Sequence, residues 1–492
     1  MKDLKHKVIR GGLAKVFAQG GSLALRMGSL MVLARLIAPQ DFGLVGMVTA
    51  FTGVLNLFRD FGLSSATVQR GHVTDDEISA LFWINVLVGV ILGFLLMGLA
   101  PLVAAFYHEP RLLWVSIILA TSFMFNGAGV QHTALLERQM RFTALAAIDM
   151  IALVVSTAIG ITMAATGFGY WALVAAAVSL PFVTTICLWW TTGWTPGRPR
   201  SHAGLHSLLR FGGALTLISL IIYVAYNLEK VLLGRYWGAN VLGLYGRAYQ
   251  LINLPTDNIN SAFSGVAFSG LSRVRHEPER FKSYFLRGYS LVVALTVPIT
   301  IAAALFAHDL IFVLLGPKWS EVAVFLRLLA PTILIYALIN PLAWMSFSLG
   351  MMGRSLKLVL VLAPLVIGGY ILGLPYGPKG VAFAYSAVMM LWVVPHIAWC
   401  VHGTVVSLRD ILLAASRPLV SGIVAAVLAF GVQFSWGQSL SPLPRLILGV
   451  AVLLVSYVGM LFYAMGQKDV YWDLLRGLKR HSSVEEDTLV PG

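Results

Sequence analysis

Long apolar runs follow one another almost from end to end of this chain, separated by short polar connections. By hydropathy they fall at approximately 11–37, 44–61, 78–104, 112–135, 142–166, 169–190, 211–234, 241–264, 284–306, 322–349, 355–374, 380–402, 418–435 and 443–465. A helix needs roughly 20 apolar residues to cross a bilayer, and most of these runs supply them. Backbone polar groups cannot stay unpaired in lipid, so a spanning chain is either helical or a closed barrel. The runs are continuous rather than alternating, which excludes the barrel. The pattern predicts an all-α polytopic membrane protein with about 14 transmembrane helices. The longest polar connection inside the membrane region is residues 191–210, rich in Pro, Gly and Arg, and reads as a loop.

Composition agrees. Of 492 residues, 58% are hydrophobic and 11% charged, with a mean hydropathy of +0.82; a soluble domain carries about 25% charged residues. The net charge of +14 resembles that of a nucleic-acid binder, but its distribution argues otherwise. The connections alternate. One set carries 23 Lys and Arg, among them Lys2, Arg10, Arg141, Arg198, Arg210, Arg275, Arg354 and Arg480; the other carries 5, Arg111, Arg235, Lys318, Lys379 and Arg445. That asymmetry is the positive-inside rule. It predicts an even span count, both termini in the cytoplasm and no nucleic-acid partner. The basic N-terminus does not read as a cleaved signal peptide, because the apolar segment behind it is too long and is interrupted by Arg26. Cys187 and Cys400 both fall within spans and give neither a disulfide framework nor a metal spacing.

Residue n set beside residue n+200 exposes a repeat. Leu33, Arg35, Gly43, Leu44 and Gly46 meet Leu233, Arg235, Gly243, Leu244 and Gly246, so L-x-R-x7-G-L-x-G occurs twice, at the outer end of the first helix of each half. Both copies run in the same direction across the membrane, as in transporters built from parallel repeats. The predicted organisation is an N-lobe over 1–190 (spans 1–6), a cytoplasmic linker over 191–210, a C-lobe over 211–402 (spans 7–12), an extra helix pair over 403–466 suited to lipid contact, and a cytoplasmic tail over 467–492.

Charges at membrane depth carry the chemistry, since Arg, Lys or Asp at a helix centre costs about 2.5–3.5 kcal/mol on insertion scales. In span 1, Lys15, Gln19, Ser22, Arg26 and Ser29 are spaced 4, 3, 4 and 3, which puts them on one helix face about 80° wide. The stripe is either a cavity lining or a helix–helix contact with Arg26 paired internally. Span 7 repeats it with Thr216, Ser219, Tyr223, Asn227 and Lys230, and Glu229 points about 100° away from Lys230. Span 8 adds Tyr249, Asn253, Thr256 and Asn260, with Asp257 on the edge, Arg247 nearer the outer end, and Pro255 to kink the helix. The candidate substrate-binding set is Lys15, Gln19, Arg26, Tyr223, Asn227, Lys230, Arg247 and Asn253. Candidate ion-coupling acids are Asp149, Glu229 and Asp257; Asp257 also fits a partner for a cation or a cap on the kink. Asp149 is isolated in an apolar helix and requires a cationic partner. Arg59–Asp60 reads as an interfacial anchor, and Asn126, Gln131 and His132 are weaker candidates. With no P-loop, no metal-ligand cluster and no sizeable external segment, neither enzyme chemistry nor a metal is expected.

Two stretches bear a family resemblance. Leu33 to Arg70, "LARLIAPQDFGLVGMVTAFTGVLNLFRDFGLSSATVQR", resembles the first two spans of the polysaccharide transporter family, the Wzx-type flippases of the MOP superfamily. Tyr223 to Pro255, "YVAYNLEKVLLGRYWGANVLGLYGRAYQLINLP", resembles the matching stretch of their second half. The likeness extends over essentially the whole chain. Glu229 stands where relatives more often have Asp, and Ser269 replaces a usual Pro. The resemblance implies two six-helix lobes, MATE-like, around a central cavity, plus the extra helix pair. It further implies a bacterial inner-membrane flippase, without a cofactor, that moves undecaprenyl-diphosphate-linked oligosaccharide to the periplasmic leaflet for O-antigen, capsule or exopolysaccharide synthesis. Membrane lipids, a polysaccharide polymerase and a chain-length regulator are the implied partners, and H⁺ or Na⁺ the implied coupling ion. A multidrug exporter and a lipid II flippase share the fold, and a membrane glycosyltransferase or ligase is the reading from another class. The central stripes are net basic, which suits a diphosphate better than organic cations.

Overall fold

The computed structural model describes residues 20–59, 74–198, 205–435 and 437–467; Lys15, Gln19, Asp60 and the tail beyond Gln467 lie outside the described residues. Among those described there is no strand. The helices are α1 (20–36), α2 (Pro39–Asn56), α3 (Asp75–Tyr107), α4 (Leu112–Arg138), α5 (Phe142–Ala165), α6 (Tyr170–Thr192), α7 (Leu205–Arg273), α8 (Pro278–Leu305), α9 (Ala307–Leu314), α10 (Val322–Leu329), α11 (Pro331–Ser348), α12 (Met352–Gly373), α13 (Gly377–Val401), α14 (Leu408–Ser435) and α15 (Pro442–Gly459). Nine helical segments among the described residues are long and apolar enough to cross a membrane, one of them, Gly353–Val401, running α12 and α13 together. The helices fall where the apolar runs do, and the all-α polytopic class follows. α7 is broken at Gly238, whose φ of 76° lies where glycine pays no steric penalty.

Two compact units make up the chain, 1–246 and 247–492. In the first, α3 packs on α4, α5 on α6, and α4 on α6. α3 begins with a capping box, in which Glu77 N–H donates to Thr74 Oγ1 while Thr74 N–H donates to Glu77 Oε2. Asp75, Asp76 and Glu77 occupy its first turn and complement the helix dipole there. At the opposite end of this unit, which we term the corner end, α1 turns into α2, and both copies of the sequence repeat meet. A methyl group on Gly43 would overlap the Ala239 carbonyl oxygen, and one on Gly243 would overlap the Pro39 carbonyl oxygen. Each glycine thus faces the residue four before its repeat partner, a reciprocal contact of the kind a twofold relation generates. Only glycine lets backbones approach this closely. The surrounding repeat positions are apolar and buried: Leu33, Leu44, Leu233 and Leu244 are each 8% exposed or less. This contact ties the start of the second sequence half to the first, so the compact units divide the chain at 246 while the repeat divides it at 191–210.

In the second unit, the last helices dock on α8 and α9 through specific polar groups. Pro298 has no N–H to give the Ala294 carbonyl, and the Tyr457 hydroxyl of α15 donates to that carbonyl at 2.8 Å instead. Asp309 of α9, 2% exposed, pairs with Arg445 and accepts from Gln433 Nε2 at 3.3 Å. The outward faces of α14 and α15 carry exposed Ile423, Val427, Phe434, Ile447 and Val455.

Candidate functional site: buried charges and a polar cavity in the first unit

Arg26 lies near the middle of α1 and is exposed. Asp149 of α5 is within electrostatic reach of it. α1 and α5 approach closely here, since a methyl on Gly21 would meet Met150 Cε at 3.1 Å. Asp149, isolated in an apolar helix, lies within electrostatic range of Arg26.

The polar face of α7 is organised as a chain of hydrogen bonds. Lys230 Nζ donates to Asn227 Oδ1 at 2.7 Å, Asn227 Nδ2 donates to the Tyr223 carbonyl at 2.9 Å, and the Tyr223 hydroxyl donates to the Ala50 carbonyl of α2 at 3.2 Å. Gly53 makes room for that tyrosine, as a methyl there would overlap its hydroxyl. Tyr223 is thus engaged with the backbone of α2 and holds α7 against it. Glu229 is fully buried and lies within electrostatic range of Tyr223. At the corner end, Arg235 Nη1 approaches His108 Nδ1 at 2.8 Å and stacks over Phe106 at 5.6 Å. In the adjoining loop, Arg111 is hydrogen-bonded to Glu109 at 2.7 Å and holds its carboxyl below the usual carboxylate range.

The opposite end of the unit, the linker end, contains a feature that the sequence pattern did not reveal. Arg59, just past α2, lines a cavity of about 160 Å³ together with Asn126, Thr133, Glu137, Thr184 and Thr185 from α4 and α6. Arg59 Nη1 donates to Asn126 Oδ1 at 3.3 Å. At the same end the start of the linker is pinned to the bundle. Gly197 N–H donates to Ser79 Oγ at 2.9 Å, and Trp83 Nε1 donates to the Gly197 carbonyl at 2.9 Å. His132, buried and 2.7 Å from Thr192 Oγ1, sits among Phe82, Trp189 and Trp194; it belongs to this aromatic cluster. Among the described residues no group of His, Cys, Asp and Glu could hold a metal ion.

Residues 32–324 match the family described as "Polysaccharide biosynthesis protein". The chain belongs to that family. It is 26% identical over 382 residues to the lipopolysaccharide biosynthesis protein WzxC of Escherichia coli (strain K12), covering 75% of this chain and 77% of the relative. It is 24% identical over 315 residues to the succinoglycan biosynthesis transport protein ExoT of Rhizobium meliloti (strain 1021), covering 64% of each. Among solved structures it is similar to the lipid II flippase MurJ in an inward closed conformation, with a TM-score of 0.72 and 14% identity over 93% of this chain and 99% of that one, which shows the fold. The protein is a multi-pass membrane protein of the polysaccharide biosynthesis family.

Within this polysaccharide biosynthesis protein, the first unit holds Arg26 with Asp149 and joins Tyr223, Asn227 and Lys230 into one chain. Arg247, Asn253 and Asp257 belong to the second unit. There the Arg247 guanidinium donates to Gln250 Oε1, Asn253 is half-buried and Asp257 is exposed on the helix that Pro255 interrupts. The Arg59 cavity was the omission: Arg59 read as an interfacial anchor and Asn126 as a weak candidate, and only tertiary packing puts them together.

Proposed function

We propose that this protein is a flippase that carries undecaprenyl-diphosphate-linked oligosaccharide repeat units from the cytoplasmic to the periplasmic leaflet of a bacterial inner membrane, for O-antigen, capsule or exopolysaccharide assembly. The observation that carries the reading is Arg26, an exposed cation at membrane depth beside Asp149, in a chain of the polysaccharide biosynthesis family. A diphosphate competes with the Asp149 carboxylate for the guanidinium, and Lys230, held at 2.7 Å by Asn227, offers a second cation at another depth. Protonation of Asp149, or Na⁺ binding to it, releases Arg26 to the substrate and couples transport to an ion gradient; Glu229 and Asp257 are the other acids available for that role. The lobes are those of the sequence repeat, 1–190 and 211–402, and access alternates as the corner end opens and closes. The linker end faces the cytoplasm, with both termini, and a polysaccharide polymerase and chain-length regulator receive the product.

A deletion strain tests this directly. It should lose one surface polysaccharide and accumulate the corresponding lipid-linked unit in the cytoplasmic leaflet, and purified protein in proteoliposomes should restore translocation. Unchanged polysaccharide with no accumulated lipid would reject the reading. The orientation has its own test: reporters fused after Arg210 and after Gly466 should be active only as cytoplasmic reporters, and a periplasmic signal at either position would overturn it.

A further inference from the structure

The cavity at the linker end is not used by the Arg26–Asp149 site, yet its chemistry is built. We propose that it is a binding pocket for a single sugar ring carrying a carboxylate or phosphate, through which the protein reads one residue of its oligosaccharide; the second clause rests on the flippase reading, the first does not.

The donors and acceptors decide the ligand. Arg59 uses one N–H on Asn126 Oδ1, and a guanidinium carries five, so the fork has four more to offer an anionic group. Asn126 is fixed in turn, with its Nδ2 donating to the Ser122 carbonyl at 2.9 Å. The hydroxyls of Thr133, Thr184 and Thr185 donate to the carbonyls of Gly129, Leu180 and Phe125 at 3.3, 2.8 and 2.8 Å. A hydroxyl that has donated still has lone pairs, so all three face a ligand as acceptors. Glu137 adds a carboxylate at the exposed rim. The pocket therefore presents one cation, one anion and several acceptors, which a polyol bearing one acidic group satisfies. Its hydroxyls donate to the threonines and Glu137, and its anion takes Arg59. Val130 and Leu188 supply apolar wall for ring C–H groups. Bare phosphate has at most two O–H donors and no ring, so it leaves most of the acceptors and the Val130–Leu188 wall unanswered. At about 160 Å³ the space suits one ring, and its open mouth lets the rest of an oligosaccharide lie outside. Packing of α2 on α4 and α6 needs none of this polarity, since valine or leucine would close the gap.

The test uses the full-length protein in lipid nanodiscs, with Cys187→Ser and Cys400→Ser and a single Thr133→Cys alkylated by a maleimide. The probes are glucuronate, glucose 1-phosphate, glucose and inorganic phosphate. Either acidic sugar at ten times its Kd should slow alkylation about tenfold, glucose should protect less, and phosphate should not protect. Arg59→Gln should abolish the protection. Saturation-transfer NMR of glucuronate on the protein with its native cysteines, with and without Arg59→Gln, repeats the measurement without the cysteine variant. No protection by either acidic sugar, equal protection by inorganic phosphate, or protection that survives Arg59→Gln would overturn the proposal. Translocation in proteoliposomes is scored separately, so a protein that binds acidic sugars but flips nothing would reject the proposed function and leave the pocket standing.

Discussion

The two ends of the first unit solve opposite problems around one shared helix, α2. At the corner end, Gly43 and Gly243 bring backbone onto backbone amid buried leucines, leaving no room for water or for a single methyl group. At the linker end, the same α2 emerges beside α4 and α6 and leaves a polar cavity of about 160 Å³ with an arginine on its wall. A seal needs close approach and no polar groups that demand solvent; a receptor needs fixed donors and acceptors with space between them. One end is closed by the absence of side chains, the other is kept open by their polarity.

The largest expected effect comes from breaking the seal. Gly43→Val drives a branched side chain into the Ala239 carbonyl, and Gly243→Val drives one into the Pro39 carbonyl. Backbone on both sides cannot yield as a flexible side chain would. Polysaccharide export should fall to background in either variant at normal membrane abundance. Normal export from both would mean that this contact is never required during transport.

Next in size is Arg26. Removing the guanidinium leaves Asp149 without the cation beside it and the substrate without a phosphate ligand. Arg26→Ala should cut export roughly a hundredfold, equivalent to ~3 kcal/mol, with the protein still present in the membrane. Arg26→Lys should recover part of it, because charge survives and only the bidentate geometry is lost. If Arg26→Ala with Asp149→Asn transports normally, the couple is a packing device and the substrate is bound elsewhere.

What could be read in the sequence follows the distance over which each feature is encoded. The spans were legible because apolar length is a local property, and the corner was legible because two copies of one pattern, 200 residues apart, carry the same glycines. Asp149 announced the need for a cation, but the identity of that cation depends on α1 lying against α5. The Arg59 cavity was hidden for the same reason: Arg59 and Asn126 are 67 residues apart, and no sequence pattern links them. Nor can a polar stripe say what it faces. Tyr223, Asn227 and Lys230 share a helix face, yet the tyrosine end of that face meets the backbone of α2 at Ala50.

That placement gives the smallest expected effect, and the one that separates the two roles of the α7 stripe. Tyr223→Phe keeps the ring that fills the space beside Gly53 and removes only the O–H donated to the Ala50 carbonyl. A hydrogen bond of this kind contributes about 1 kcal/mol. If Tyr223 only fastens α7 to α2, the variant should lose that much stability in a denaturation assay while the transport rate changes by less than about fivefold. Lys230→Met should do the reverse: it frees Asn227 Oδ1 of its donor, removes a cation the substrate is expected to meet, and lowers transport more than stability. A Tyr223→Phe protein of unchanged stability but with export reduced as far as in Lys230→Met would place the phenol in contact with substrate, and would make the stripe a binding surface along its whole length.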